Sequence, residues 1–125
     1  MIYKVGMFCK HFKGENLIEK NIYRIEKLHV LGEQIDENFI TYSGNYSLND
    51  AEDLVVYSNV FQDGKLFARE YSDISSPLEK EKQEIYHQEL RVQPLTEEEH
   101  HLIQSNDFLE KKKAYTEKKY KTLTK

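Results

Sequence analysis

A chain of 125 residues is enough polypeptide to enclose a single core and too short for two. Its hydrophobic residues make up 38% and its charged residues 32%, so the nine Tyr and six Phe must supply much of the buried area, and no apolar run approaches the roughly 20 residues that a membrane-spanning helix needs. The formal charge of −4 hides an asymmetry: residues 110–125 carry seven Lys against two Glu, a local charge of +5 that leaves −9 on residues 1–109, which argues against a phosphate-neutralising face on the main body and confines any such face to the C-terminal stretch.

The first 14 residues, MIYKVGMFCKHFKG, lack the uninterrupted apolar stretch, roughly 7–15 residues long, of a signal peptide, and the chain is expected to be cytoplasmic. Cys9 is the only cysteine. That rules out an intramolecular disulfide and a CxxC pair, and a lone cysteine beside a strand is more often a packing residue than a reactive thiol. In KHFKG, residues 10–14, Gly14 supplies a turn. An extended backbone there projects His11 and Lys13 to one side, Lys10 and Phe12 to the other.

Residues 21–30, NIYRIEKLHV, favour a strand by their β-branched and aromatic content, although the alternation is imperfect. The polar turn LGEQIDEN leads to a second short strand in FITYSG, residues 39–44, and residues 44–53, GNYSLNDAED, form a loop rich in turn-capping side chains. The strongest local signal is DLVVYSNVFQDGKLFAREY, residues 53–71. Two runs rich in Val, Tyr and Phe flank Asp63-Gly64, a pair suited to the positive φ at both central positions of a two-residue type I′ turn. That turn predicts a β-hairpin with Gln62 opposite Lys65, and with Val60 and Phe61 near Leu66 and Phe67.

Residues 72–85, SDISSPLEKEKQEI, predict one short helix with Pro77 near its start. Residues 87–95, HQELRVQPL, predict a closing edge strand that ends at Pro94. Thr96 and Glu99 then form a capping box, with Glu97, Glu98 and Glu99 at the positive pole of a helix dipole. This helix is expected to break at residues 105–107, with Asp107 and Glu110 capping a second segment whose last turns fray. The elements add up to an α+β chain: a small curved antiparallel β-sheet or SH3-like barrel over residues 1–95, then a C-terminal helix with a lysine-rich tail over residues 96–125. An exposed strand at the edge of such a sheet offers a route to a homodimer or to strand addition by a peptide.

Four short motifs stand in order: Lys10-His11-Phe12-Lys13-Gly14, Tyr23-Arg24-Ile25, Val55-Val56-Tyr57 and Phe67-Ala68-Arg69. With the Asp-Gly hairpin between the last two, they resemble the small bacterial domain of unknown function numbered 1653, in which an HxKG segment leads through YxV and VVY to an aromatic-x-Arg-Pro segment. The resemblance covers roughly residues 6–78. It implies a compact, mostly β domain of about SH3-like size, and it implies no activity. The chain departs from the pattern where Tyr42-Ser43-Gly44-Asn45 stands in place of the family's His-Ser-Glu-Thr, where Arg69 is followed by Glu70 and not Pro, and where the turn at 28–38 and the loop at 44–53 are lengthened. These make it a divergent member.

Two binding surfaces are expected. On the concave sheet face, His11, Lys13, Tyr57, Phe67 and Arg69 would form a corner for a small anionic ligand or peptide; the competing account has Phe12 in the core and His11 bonded to the backbone of the turn. In the tail, Lys111, Lys112, Lys113, Lys118, Lys119 and Lys121 alternate with Tyr115 and Tyr120, a mixture able to bind a nucleic-acid backbone and stack a base, although lysines there also suit the negative pole of the helix dipole. A metal site is not expected. His100 and His101 project about 100° apart on a helix, and His29 and His87 have no thiol or carboxylate partner at ligand spacing. GxSxG, a glycine-rich phosphate loop and HExxH are all missing. The sequence therefore reads as a non-enzymatic binding module without a cofactor, with an accessory nucleic-acid-binding protein acting through the tail as the alternative.

Overall fold

The structure, a computed structural model, describes residues 2–123, with side chains through residue 119. In chain order the elements are β1 (Phe8–His11), β2 (Ile22–Val30), β3 (Ile40–Tyr42), β4 (Leu54–Asn59), β5 (Lys65–Glu70), α1 (Tyr71–Ile74), α2 (Lys80–Tyr86), β6 (Val92–Pro94), α3 (Glu97–Leu102) and α4 (Asn106–Leu123), with 3-10 turns at Gly32–Gln34 and Leu48–Asp50. The six strands form one sheet in the order β3-β5-β4-β2-β1-β6, followed by the helical C-terminus, so the chain is α+β. The sheet is open, with β3 and β6 as its edges. It is also mixed where an antiparallel sheet was expected, because both flanks of β4 are taken by β2 and β5. That leaves β3 only the free edge of β5, on which it lies parallel.

The hairpin expected over residues 53–71 is β4 and β5, with a different register. Asp63 (φ 55°) and Gly64 (φ 65°) do take the left-handed conformation. Yet Asn59 pairs with Lys65 and Tyr57 with Phe67, so Val60–Gly64 form a longer loop in place of a two-residue turn. Val60 and Phe61 are drawn out of the ladder to pack with Ile22, Ile103 and Phe108, and the Phe61 and Phe108 rings are 6.0 Å apart. Burial of a Val or Phe side chain contributes roughly 1.5–3 kcal/mol when complete, against a net of about 1 kcal/mol for each hydrogen bond of a longer ladder. Packing wins the register.

Side-chain alternation gives the sheet two unlike faces. Cys9, Tyr23, Ile25, Val55, Tyr57 and Val92 share one of them, in a single core completed by Tyr3 and Ile74. The Tyr3 hydroxyl lies 2.9 Å from Ile74 O and 2.6 Å from Val92 O, fixing the N-terminal segment against α1 and β6. The opposite face carries two separate cores. Leu54, Val56 and Ala68 pack with Val30, Ile35 and Ala51 around the 3-10 turns, while Ile22 packs with Ile103 and Phe108 of the helical end. Polar side chains stand between them: Arg24 Nη1 donates to both Glu26 carboxylate oxygens (2.9 and 2.6 Å), and Ser58 Oγ donates to Glu26 Oε1 (3.0 Å).

The helical end starts at the expected capping box. Glu99 N donates to Thr96 Oγ1 (3.1 Å) and Thr96 N donates to Glu99 Oε1 (3.0 Å). Glu99 Oε2 also accepts from Lys10 Nζ at 2.6 Å, which ties α3 to β1. A break is present, but at residues 103–105 and not 105–107, because Ser105 caps α4, its Oγ accepting from Phe108 N (3.2 Å). Asp107 instead pairs with Lys111 at 3.0 Å. The single helix expected over residues 72–85 is two, α1 and α2, because Pro77 between them forms an antiparallel bridge with Leu90. The closing edge strand is shorter than expected, Val92–Pro94, since Gln88 turns inward and its Nε2 donates to Lys10 O (3.1 Å) and Leu90 O (2.8 Å). Among the described residues no helix is long and apolar enough to cross a membrane.

Candidate functional site

The KHFKG segment straddles the end of β1. The His11 main-chain N–H donates to Asn21 O (2.9 Å), and the chain then turns at Gly14. There φ is 121° and a Cβ would lie 3.0 Å from the Glu19 backbone, so only glycine suits the position. Phe12 is 3% exposed and belongs to the interior. The His11 ring lies 4.7 Å from the Phe12 ring and 6.2 Å from the Tyr23 ring. Its Nδ1 accepts only a long bond, 3.4 Å, from Lys13 N.

From His11 a row of rings crosses the sheet. Tyr23 lies 4.6 Å from Tyr57, and Tyr57 lies 5.8 Å from Phe67, with Lys65 Nζ 5.4 Å from the centre of the Phe67 ring. Alternation puts Arg69 on the same face as Phe67. On a flat sheet His11 and Arg69 would stand roughly 25 Å apart, counting about 3.3 Å per residue and about 4.8 Å per strand. The Arg69 charge nevertheless acts on His11, Tyr23 and Tyr57. Coiling of a sheet shortens such a separation, and two register irregularities in β2 between Ile25 and Val30 increase the local twist.

Burial, then the charges of Lys13, Arg69, Arg91 and Lys20, push the His11 pKa down to about 4. The imidazole is therefore neutral at pH 7. With Nδ1 accepting from Lys13 N, the hydrogen-bond pattern assigns the proton to Nε2, which can donate. The charges that lower the pKa of this ring are those of Lys13, Arg69, Arg91 and Lys20, while the Asp73 charge acts on the neighbouring Tyr57. Arg69 pairs with Asp73 through Nη2, while its Nε is buried without a partner among the described residues. Arg91 and Lys82 both approach the Phe12 ring, at 5.7 and 5.8 Å.

Of the five residues expected at this corner, His11, Phe67 and Arg69 are half-buried and Lys13 is exposed. Tyr57 is 5% exposed and forms the floor. Tyr23, Arg91 and Lys82 were not foreseen as part of the corner. The alternation of β2 could have found Tyr23, which faces Cys9 across the β1–β2 pair. Nothing local marks Arg91, because it reaches Phe12 from outside β6. Cys9 is fully buried, and burial pushes its thiol up to about 12, far from a thiolate.

The lysines of α4 divide differently from the expectation. Lys112 is 3% exposed; its Nζ donates to Ile18 O (2.6 Å) and Lys20 O (2.5 Å) and sits near the rings of Phe61 and Tyr115. It cannot meet a nucleic-acid backbone, and its place in the tail surface is corrected accordingly. Lys111 is paired with Asp107, and Lys113, Lys118 and Lys119 are exposed. The side chains of Tyr120 and Lys121 lie outside the described residues. Lys20 is buried too, its Nζ donating to Phe12 O, Tyr86 O and Gln88 Oε1 at 3.0, 2.9 and 3.0 Å, so the β1–β2 connection is gripped from both sides. Among the described residues there is no group of three or more His, Cys, Asp or Glu side chains able to hold a metal ion. Comparison of the chain with protein-family models, with curated proteins and with solved structures gives no match.

Proposed function

We propose that this chain is a non-enzymatic binding module that holds a small anionic ligand at the His11 corner of the ring-lined sheet face. The observation that carries the reading is the buried Arg69 Nε left without a partner among the described residues on the ring-lined face, where the charges of Lys13, Arg69, Arg91 and Lys20 act on His11. An arriving anion would relieve the repulsion among these cations, accept from the neutral imidazole Nε2–H, and offer an acceptor to the Arg69 Nε, which has none among the described residues. Tyr23, Tyr57 and Phe67 supply an apolar floor that keeps water from competing below. The reading also extends the resemblance to the domain of unknown function numbered 1653, since HxKG, VVY and aromatic-x-Arg each contribute a side chain to this one face. In the same spirit we read the coiled sheet as an SH3-like barrel left open between β3 and β6.

The test is a titration of 15N-labelled protein with inorganic phosphate and, separately, with citrate, following the imidazole of His11 and the Nε–H signals of Arg69 and Arg91. Saturable shifts at all three are expected, and His11→Ala or Arg91→Gln should weaken binding about tenfold or more, the value of one hydrogen bond to a charged group. Signals at these three residues that stay fixed across the titration with both probes contradict the proposal.

A further inference from the structure

A second feature, on residues separate from the His11 corner, lies where α4 meets the tip of the β4–β5 hairpin. A cavity of about 40 Å³ opens there, lined from the sheet side by Asn21, Asn59 and Gln62 and from α4 by Lys112, Thr116 and Lys119. The lining holds two ammonium groups, three amides, the hydroxyls of Thr116 and Tyr115 and the rings of Phe61 and Tyr115, and no carboxylate. Lys112 is fixed in position, since two of its three N–H donors go to the carbonyls of Ile18 and Lys20. The third has no described acceptor, although the side chain borders the cavity. Lys119 follows seven residues later on the same helical face. It forms no ion pair among the described residues, and its charge bears directly on the buried Lys112. Gln62 accepts from Asn59 Nδ2 through its oxygen (3.1 Å), which leaves its own NH2 group with no described acceptor.

We propose that this cavity is a binding site for a small monovalent anion of halide or formate size, held between Lys112 and Lys119. Size sets the ligand class. A cavity of about 40 Å³ exceeds the roughly 10–15 Å³ that one water needs, so it has room for a halide or a formate. Charge sets the sign, because two ammonium groups that line one cavity with no carboxylate among its lining residues are both stabilised by an anion that enters it. Occupancy would also strengthen the seat of α4, since Lys112 adds two hydrogen bonds from this helix to the β1–β2 connection.

The experiment is 35Cl NMR line broadening of sodium chloride by the full chain. Excess broadening is expected with the wild type, reduced at least fivefold in Lys119→Gln and displaced by added formate. It should persist in Lys113→Gln, which removes an equal charge from α4 outside this cavity, and in His11→Ala, which removes the corner assigned to the other ligand. Failure of the wild type to broaden the line, equal broadening by Lys119→Gln, or a loss in Lys113→Gln or His11→Ala as large as that in Lys119→Gln overturns the proposal. Because His11→Ala is among the arms, this result stands apart from the fate of the His11 reading.

Discussion

The two faces of the sheet are cut from the same strands and bury their side chains in different ways. One face carries a single core into which every long strand sends a residue, from Cys9 and Ile25 to Val55 and Tyr57. The other is split by Arg24, Glu26 and Ser58 into a core under the 3-10 turns and a core under α3 and α4. A continuous core makes the strands depend on one another, whereas a divided one lets the helical end loosen by itself. The continuous face is therefore the rigid platform, and it is the face that presents His11 and Arg69.

The largest effects should break that contrast openly. Ile25→Ala, at a position with 0% exposure, is expected to cost about 2–5 kcal/mol and to lower amide protection in all four of β1, β2, β4 and β5 together. Phe108→Ala, at 2% exposure, is expected to cost about 3–5 kcal/mol while hydrogen exchange rises first in α3 and α4, with β4 and β5 still protected. Uniform loss of protection in both variants would mean that the divided face is no less cooperative than the other.

Acid sharpens the comparison next. The pKa of His11 is about 4 in the folded chain against 6.5 for the free side chain, so between these values the unfolded state binds the additional proton. The stability from this group is fully present above pH 6.5 and is lost as pH falls through 4, at most about 3 kcal/mol for a shift of this size. Urea unfolding from pH 7 to 4 should show a steeper loss for the wild type than for His11→Gln, and parallel curves would remove His11 from its buried, cation-ringed setting.

On the divided face the corresponding group is Lys112. Lys112→Met strands the carbonyls of Ile18 and Lys20 and is expected to cost about 1–3 kcal/mol, read as faster exchange in α4. Its pKa is lowered to about 8 by burial and then by Lys119, so the folded state sheds this proton before the unfolded one does. Stability of the wild type relative to Lys112→Met should then rise with pH between about 8 and 10, the sign given by a lysine that folds more readily uncharged. The smallest effect is local: Thr96→Ala removes the acceptor for Glu99 N and should cost about 1 kcal/mol in thermal unfolding.

What could be read from the residues follows the same division. The platform face was legible because its signal is local. Val55-Val56-Tyr57 and Phe67-Ala68-Arg69 alternate with the pleat, Asp63-Gly64 marks the turn, and Thr96 with Glu99 marks the start of α3. The seat of α4 was not legible, since Lys112 finds its acceptors 94 and 92 residues away in the chain, and a lysine-rich stretch gives no local hint that one member is buried. The same distance effect hid the hairpin register, where Val60 and Phe61 answer to Phe108 and not to their strand partners. It also hid the parallel pairing of β3, which depends on which sheet edges other strands have left free. At the corner, His11 and Arg69 were expected from their motifs, while Arg91 and Lys82 arrive from segments whose approach to Phe12 only the folded chain reveals.

The central claim is that coiling of the sheet carries Arg69 to His11, and the most direct test is the His11 pKa by NMR titration of the imidazole in the wild type and in Arg69→Gln. A value near 4 in the wild type that rises when the Arg69 charge is removed is the predicted result. A wild-type value at or above 6.5, or one indifferent to Arg69→Gln, would contradict it.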